Sequence, residues 1–298
     1  MLANTKLPDF DSIEPITQTT QTKLPCTLRW RQGRLWVSAL VRGQDVPLPA
    51  LTSPAWFQAC LGKSKATAVC IDPSLGTEVI SLWAQACLKA NKPLYLRIPA
   101  ISHRPSSKKP VAWAFKCAIE RLLGLILLVL LSPLILLFSL GLTLQDGGLA
   151  VTYEFCVGQR GRIFQMAQFR RASIATGKLT HLGRFLEVSR LDRLPRLVNV
   201  AKGEMTLVGT KPWAIQDLVN ISPEYRSCLK AMPGLVGTRP LGITLRKVDI
   251  PYVVQNELSY LKNWSLWLDG LTATTAVLGF IISQSKLSVG VISSRHYD

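Results

Sequence analysis

The side chains most used for nucleophilic and metal chemistry are sparse and scattered in this chain. Seven cysteines (Cys26, Cys60, Cys70, Cys87, Cys117, Cys156 and Cys228) form no Cys-x-x-Cys pair, and there are only three histidines. That pattern argues against a zinc site and a disulfide framework, and fits a reducing compartment. Two short stretches invite chemistry. Asp72 to Gly76 (DPSLG) lies at a strand-to-helix turn, but it holds one glycine where a phosphate-cradling loop wants several. It reads as an ordinary turn with Thr77 as helix N-cap. Ser189-x-x-Asp192 fits a capping box. A carboxylate at a helix start also faces free N–H groups and the positive end of the helix dipole, where it stays ionised and phosphates are favoured.

Positioning these residues takes a framework, and the sequence divides into recognisable parts. Residues 1–25 are Thr-, Gln- and Pro-rich and read as a flexible tail. The stretch Thr27 to Leu40 alternates around Gln32-Gly33, a hairpin signal. A buried strand (Ala66 to Asp72), an amphipathic helix (Thr77 to Ala90) and another strand (Pro93 to Pro99) follow, so residues 26–100 form a small α/β domain with a regulatory or docking role. Residues 101–115, with proline, serine and Lys108-Lys109, read as a linker.

Leu122 to Leu144 is an uncharged run long enough to span a hydrocarbon core as a helix. Ser132-Pro133 interrupts it at the middle, and proline removes a backbone hydrogen bond there, so a sharp bend is expected. Lys108, Lys109, Lys116 and Arg121 flank one side and a basic region from Arg160 flanks the other. A crossing leaves one basic flank outside, whereas a re-entrant hairpin keeps both inside. Physics alone leaves the two open. Composition agrees with a membrane: 48% of residues are apolar and the formal net charge is +17. The charge suits phospholipid and phosphorylated substrates. Without a Lys/Arg-rich run interleaved with aromatics, nucleic acid is not an expected partner. The N-terminus has no basic region followed by an apolar one, so no cleaved signal peptide is expected. Leu266 to Ile282, edged by Trp264 and Trp267, is a helix lying in the membrane interface or a packed core helix.

From Lys116 to about Leu278 the sequence resembles the bacterial sugar transferase family, the monotopic polyprenyl-phosphate phosphoglycosyl transferases. The resemblance is carried by Ser132-Pro133, Val157-Gly158-x-x-Gly161-x-x-Phe164, Phe169-Arg170 and Leu179 to Leu186. It continues through Leu191-Asp192-x-Leu194-Pro195-x-Leu197, Asn199 to Gly209, Pro233 to Gly237 and Asn263 to Asp269. Among family members it is similar to the cyanobacterial exopolysaccharide and heterocyst-envelope type. The resemblance implies transfer of a sugar phosphate from a nucleotide diphosphate sugar to polyprenyl (undecaprenyl) phosphate. That step initiates polysaccharide synthesis at the cytoplasmic face of the inner membrane, alongside other polysaccharide-assembly proteins. It also implies a re-entrant membrane helix over residues 116–144, a sugar-transferase domain over 145–285, a tail over 286–298, and magnesium as cofactor. The fold class expected is α+β: the small α/β domain, the re-entrant helix, then a mixed, mainly helical catalytic domain.

On this resemblance Asp192 is the nucleophile. Arg170, Lys211, Arg184 and Arg193 are the candidate phosphate ligands, with Lys202 as a further cation, and Glu187 and Glu204 are the candidate metal ligands. Three departures matter. Arg193 stands where the family has a glutamate that helps hold magnesium, and a guanidinium supplies no oxygen. Glu187 stands where the family has an arginine, so charges are exchanged if residues 187 and 193 meet. Gln168 replaces a lysine, and Thr210-Lys211-Pro212 replaces Pro-Arg-Pro, keeping a cation without bidentate geometry. The alternative to an enzyme is a degenerate membrane scaffold or regulator of polysaccharide assembly.

Overall fold

The computed structural model describes residues 26–39, 54–98, 110–174, 176–220, 229, 231–237 and 250–275. The expected tails at 1–25 and 286–298 lie outside them. The fold is α+β, and it begins with the expected hairpin. Strands β1 (Cys26–Arg31) and β2 (Arg34–Ala39) pair antiparallel, from Cys26↔Ala39 to Arg31↔Arg34. Gln32 and Gly33 both take positive φ (52° and 71°), the handedness a two-residue hairpin needs.

Two βαβ crossovers follow, each joining neighbouring parallel strands through a helix. Helix α1 (Pro54–Lys63) leads to β3 (Ala68–Ile71), and α2 (Thr77–Lys89) leads to β4 (Leu94–Leu96). Strands β2, β3 and β4 are mutually parallel. All four β3 residues are buried, Val69 and Ile71 in the core with α1 and α2. Helix α1 was not expected from the sequence. Its Phe57 and Leu61, one turn apart, are buried, and Phe57 meets Trp83 of α2 edge to face at 4.6 Å. Thr77 is the first residue of α2, not its cap. Gly76 occupies the cap position without a side-chain bond, while Asp72 caps the preceding short turn by accepting from the Ser74 N–H at 2.9 Å.

The sheet does not end with this unit. Strand β4 pairs antiparallel with β6 (Arg162–Phe169), which pairs with β5 (Val151–Val157). After β7 (Thr206–Gly209), the short β8 (Trp213–Ala214) adds to β5, giving one seven-stranded sheet in the order β1-β2-β3-β4-β6-β5-β8. The expected boundary near residue 100 is therefore crossed by β4–β6 hydrogen bonds. The glycine-bearing stretch Gly158 to Gly161 is the β5–β6 turn. A Cβ on Gly161 would lie 2.7 Å from the Leu96 carbonyl oxygen, so this turn packs against the end of β4. Strand β9 (Gly234–Gly237) pairs parallel with β7, and a Cβ on Gly234 would come within 2.1 Å of the Gly209 nitrogen.

Helix α3 (Pro110–Asp146) starts inside the stretch expected to be a linker and runs without interruption through Ser132-Pro133. The expected break is absent as a helix end for a local reason. Pro133 has no N–H for the Val129 carbonyl, and the Ser132 hydroxyl donates to that carbonyl at 2.7 Å instead. The helix is long and apolar enough to cross a membrane, and Leu122, Ile126, Val129, Leu137, Leu140 and Leu144 are all more than half exposed.

Both ends of α3 dock on the same globular body. Near its start the Lys116 ammonium, almost fully buried, pairs with Asp269 at 2.7 Å and donates to the Val208 carbonyl at 2.8 Å. Glu120 accepts from the Leu207 N–H at 3.1 Å. Near its end Leu142 is buried with Phe169 and Leu186. The remaining helices are α4 (His181–Val188), α5 (Leu197–Lys202) and α6 (Ile250–Lys262), with residues 266–275 helical beyond them. In that last helix Asp269 is buried whereas Trp267 is 81% exposed.

Candidate active site around Asp192

Asp192 owes its place to the way α4 ends. Thr180 caps the start of α4 by accepting from the Gly183 N–H at 2.9 Å. At the other end the Ser189 hydroxyl donates back to the Phe185 and Leu186 carbonyls, at 2.6 and 3.3 Å. The Ser189–Asp192 capping box is thus not formed. Arg190 then takes a left-handed conformation (φ 55°) and turns the chain into a 3₁₀ segment, Leu191–Arg196. Leu191 and Leu194 anchor this segment against the cluster of Leu142, Phe169 and Leu186.

Asp192 is the second residue of the 3₁₀ segment and only 6% exposed. It does not begin an α-helix, so dipole stabilisation is not what keeps it charged. Burial pushes its carboxyl up from the usual aspartate range. Arg193, Arg196 and Arg171 pull it back in part, and Glu187 opposes them. The cations acting on Asp192 are therefore Arg193, Arg196 and Arg171, and only Arg193 belongs to the expected set. Arg196 is itself buried. Its Nη2 donates to the Gln168 amide oxygen at 3.0 Å, and its Nε has no hydrogen-bond partner among the described residues. An orphaned buried N–H is costly, and a substrate oxygen would satisfy it. Cys156, which also acts on Arg196, has its thiol pushed up to about 12 by burial and offers no competing thiolate.

The other expected ligands fall elsewhere. Arg170 is buried and structural, its Nη1 donating to the Gly147 carbonyl at 3.0 Å and its Nη2 to that of Leu142 at 3.1 Å, which holds the C-terminal end of α3. Lys211 pairs with Asp217 at 3.2 Å and lies 4.3 Å over the Trp213 ring, while its backbone N–H donates to Glu257. Arg184 and Lys202 are exposed. Glu204 accepts from the Asn199 amide at 2.8 Å, and Asn199 in turn bonds Ala167 N and Gln165 O along the edge of β6. Glu187 acts on the charge of Asp192, but its ion-pair partner is Arg171, at 2.8 Å, not Arg193.

Among the described residues no group of three or more His, Cys, Asp or Glu could by itself hold a metal. The carboxylates linked here are that of Asp192 and that of Glu187, which acts on its charge. Magnesium is typically held by one or two carboxylates with substrate phosphates completing the shell, so this set fits it in company with a diphosphate. The Arg171–Glu187 pair is more than two-fifths exposed on both sides, and such pairs open at little cost.

Asp192 is thus a buried carboxylate on which three guanidinium groups act, on a segment packed against the long apolar helix α3. The chain belongs to the bacterial sugar transferase family, whose model matches residues 111–281. It is 31% identical over 163 residues to a UDP-glucose:undecaprenyl-phosphate glucose-1-phosphate transferase of Caulobacter vibrioides, covering 48% of this chain and 61% of that protein. It is 28% identical over 226 residues to an undecaprenyl-phosphate glucose phosphotransferase of Komagataeibacter xylinus, covering 67% and 41%. To galactosyl transferase CpsE of Streptococcus agalactiae it is 27% identical over 169 residues, covering 49% and 38%. The chain thus spans about two-fifths to three-fifths of the length of these relatives, and the matched family region excludes β1 to β4.

Sequence reasoning missed Arg171 and Arg196. Each had a signal: Arg171 directly follows the motif residue Arg170, and Arg196 fills the variable position between Pro195 and Leu197.

Proposed function

We propose that this chain transfers a sugar phosphate from a nucleotide diphosphate sugar to polyprenyl phosphate at the cytoplasmic face of the inner membrane. The observation that carries this reading is Asp192, buried among Arg171, Arg193 and Arg196 at the motif position where the family resemblance implies a nucleophile. In the first step an Asp192 carboxylate oxygen attacks the sugar-bearing phosphorus. The bond to the nucleotide phosphate breaks, and nucleoside monophosphate leaves. In the second step an oxygen of polyprenyl phosphate attacks the same phosphorus, displacing the carboxylate and giving polyprenyl diphosphate sugar.

Arg196 Nε–H and the guanidinium of Arg193 stabilise the charge gathering on the transferring phosphoryl oxygens. With Arg193 in place of a glutamate, Glu187 is the second carboxylate of the site. When bound, magnesium would neutralise the diphosphate, with Asp192, Glu187 and phosphate oxygens as its ligands. A cavity of about 550 Å³ between Leu128 and Ile135 of α3 and the β5–β6 sheet includes Pro195 of the Asp192 segment in its wall, and suits the start of a prenyl chain. Docking of both ends of α3 on one body supports a re-entrant seat, because a straight helix of 37 residues is roughly 55 Å long and would carry one end across the bilayer.

Membranes containing the chain, given labelled nucleotide sugars and polyprenyl phosphate, are expected to form labelled lipid with magnesium present and none with EDTA. Circular dichroism should be unchanged by EDTA. A chain that labels no lipid with any nucleotide sugar tested, yet restores polymer to a deletion strain, would be a scaffold and would overturn the proposal.

A further inference from the structure

The register of the first five strands assembles a basic and aromatic face that no single stretch of sequence displays. Across β1, β2, β3, β4 and β6 the paired residues run Arg29↔Trp36, Trp36↔Cys70, Cys70↔Tyr95 and Tyr95↔Arg162, so all five share one face of the sheet. Adjacent strands lie about 4.8 Å apart, so the row is roughly 19 Å long. Residues two positions along each strand extend the same face: Arg31, Arg34, Asp72 and Arg97.

Three side-chain observations agree with this placement. Arg97 stacks over the Trp36 ring at 5.8 Å and pairs with Asp72 at 3.8 Å, and Arg34 acts on Cys70. The opposite face, with Val37, Val69, Ile71, Leu94 and Leu96, packs in the core with α1 and α2. The five arginines are all exposed, and Asp72 pairs with one of them, Arg97. Arg31 and Arg34 stand directly opposite each other, an arrangement that costs stability without an anion between them. The Trp36 Nε1 donor has no partner among the described residues.

From this face we infer a binding site for a nucleoside phosphate, with guanidinium groups taking the phosphates and the base stacking on the Tyr95 ring beside the Arg97–Trp36 stack. Arginine presents a planar fork that matches phosphate oxygens bidentately, and aromatic rings on a sheet surface stack bases without regard to sequence. The row alternates these two chemistries. A bare phosphate needs no aromatic partner, and competition by anionic lipid separates a nucleotide from a bilayer surface, which basic and aromatic side chains also suit. The site does not use Asp192 and does not rest on the transferase reading, although its Tyr95 and Arg162 end lines the cavity that reaches Pro195 of the Asp192 segment. Arg162, in the family-matched region, and Tyr95, outside it, meet across the β4–β6 seam, so a ligand held by both would bear on the transferase sheet directly.

The test uses the full chain in detergent with 8-azido-ATP and 8-azido-GTP as photolabels, followed by peptide mapping. Label is expected on the peptides of β2 and β4. Excess unlabelled ATP or GTP should compete it away, whereas equal pyrophosphate or anionic-lipid micelles should compete at least tenfold more weakly. Asp192→Asn should leave the labelling intact. The Arg29→Gln/Arg162→Gln double variant and Tyr95→Leu, each checked for an unchanged circular dichroism spectrum, should weaken labelling about tenfold or more, as loss of charged hydrogen bonds or a stacked base does. Label confined to peptides around Asp192, equal competition by pyrophosphate or lipid, or full labelling of the folded variants would each overturn the inference.

Discussion

Replacing Lys116 by methionine removes one charge from a site that holds the start of α3, the 266–275 helix and β7 together. Its side chain is 2% exposed, and its ammonium reaches Asp269 at 2.7 Å, the Val208 carbonyl at 2.8 Å and Glu120 at 3.6 Å. Asp269 also accepts from the Tyr260 hydroxyl and from Trp264 Nε1, and Glu120 accepts from Leu207 N–H. The rings of Trp113 and Trp264 lie 5.1 and 5.9 Å from the ammonium. Methionine fills the volume but leaves two carboxylates with no cation, and an uncompensated buried charge costs about 3–5 kcal/mol. Domains are stable by about 5–15 kcal/mol, so the loss is a large share. At about 2–4 °C per kcal/mol for a protein of this size, melting in detergent should fall by about 6–20 °C. Adding Asp269→Asn, which neutralises the stranded charge while its carbonyl accepts from Trp264 Nε1–H and its amide donates to the Tyr260 hydroxyl, should recover at least half of the loss. A Lys116→Met variant that melts within about 2 °C of the parent, or a double variant no more stable than the single, would refute the reasoning.

Three other perturbations follow from the site and its supports. Arg196→Gln removes a cation that lowers the Asp192 carboxyl; because only ionised Asp192 can attack, the acid limb of the pH–rate profile should move to higher pH, and kcat/KM should fall about 10- to 100-fold. An unshifted acid limb would exclude Arg196 from the site. Gly183→Ala puts a Cβ 1.9 Å from the Arg171 carbonyl oxygen, a backbone atom that cannot turn aside, whereas Gly124→Ala meets a Val200 methyl at 2.6 Å, which can. Melting curves should show Gly183→Ala far more damaging, and equal effects would contradict the packing of α4. Ser132→Ala leaves the Val129 carbonyl without the hydroxyl that replaces Pro133's missing N–H, and should lower the melting temperature by a few degrees, about 1 kcal/mol or more. No change would mean that this carbonyl finds another donor.

Much of the framework was legible because it rests on local patterns. The alternation around Gln32-Gly33, the apolar strand Ala68–Ile71 and the amphipathic Thr77–Lys89 helix each encode themselves within a few residues. The pairing of β4 with β6 joins residues nearly seventy positions apart and leaves no local trace, so one continuous sheet read as two domains. Proline in α3 signalled a break, but the hydroxyl beside it supplies the missing donor, an effect carried by side-chain geometry.

At the proposed site, the surrounding motif singles out Asp192, while its environment left no such signal in the sequence. Arg170, on a motif position, serves two backbone carbonyls at the end of α3. Arg196, at a variable position, is brought to Asp192 by the tight winding of the 3₁₀ segment and then buried with a donor to spare. Exchange of charge at 187 and 193 produced no pair between them, because Arg171 at the end of the neighbouring strand reaches Glu187 first.

The central claim is that Asp192 becomes covalently bonded to the sugar phosphate. Incubating the purified chain briefly with a radiolabelled nucleotide diphosphate sugar and magnesium, without polyprenyl phosphate, then quenching in acid and mapping peptides, tests it directly. The account predicts an acid-stable, hydroxylamine-labile phosphosugar adduct on the peptide carrying Asp192, discharged when polyprenyl phosphate is added and missing in Asp192→Asn. Full lipid-linked transfer by Asp192→Asn, or an adduct on a different residue, would contradict it.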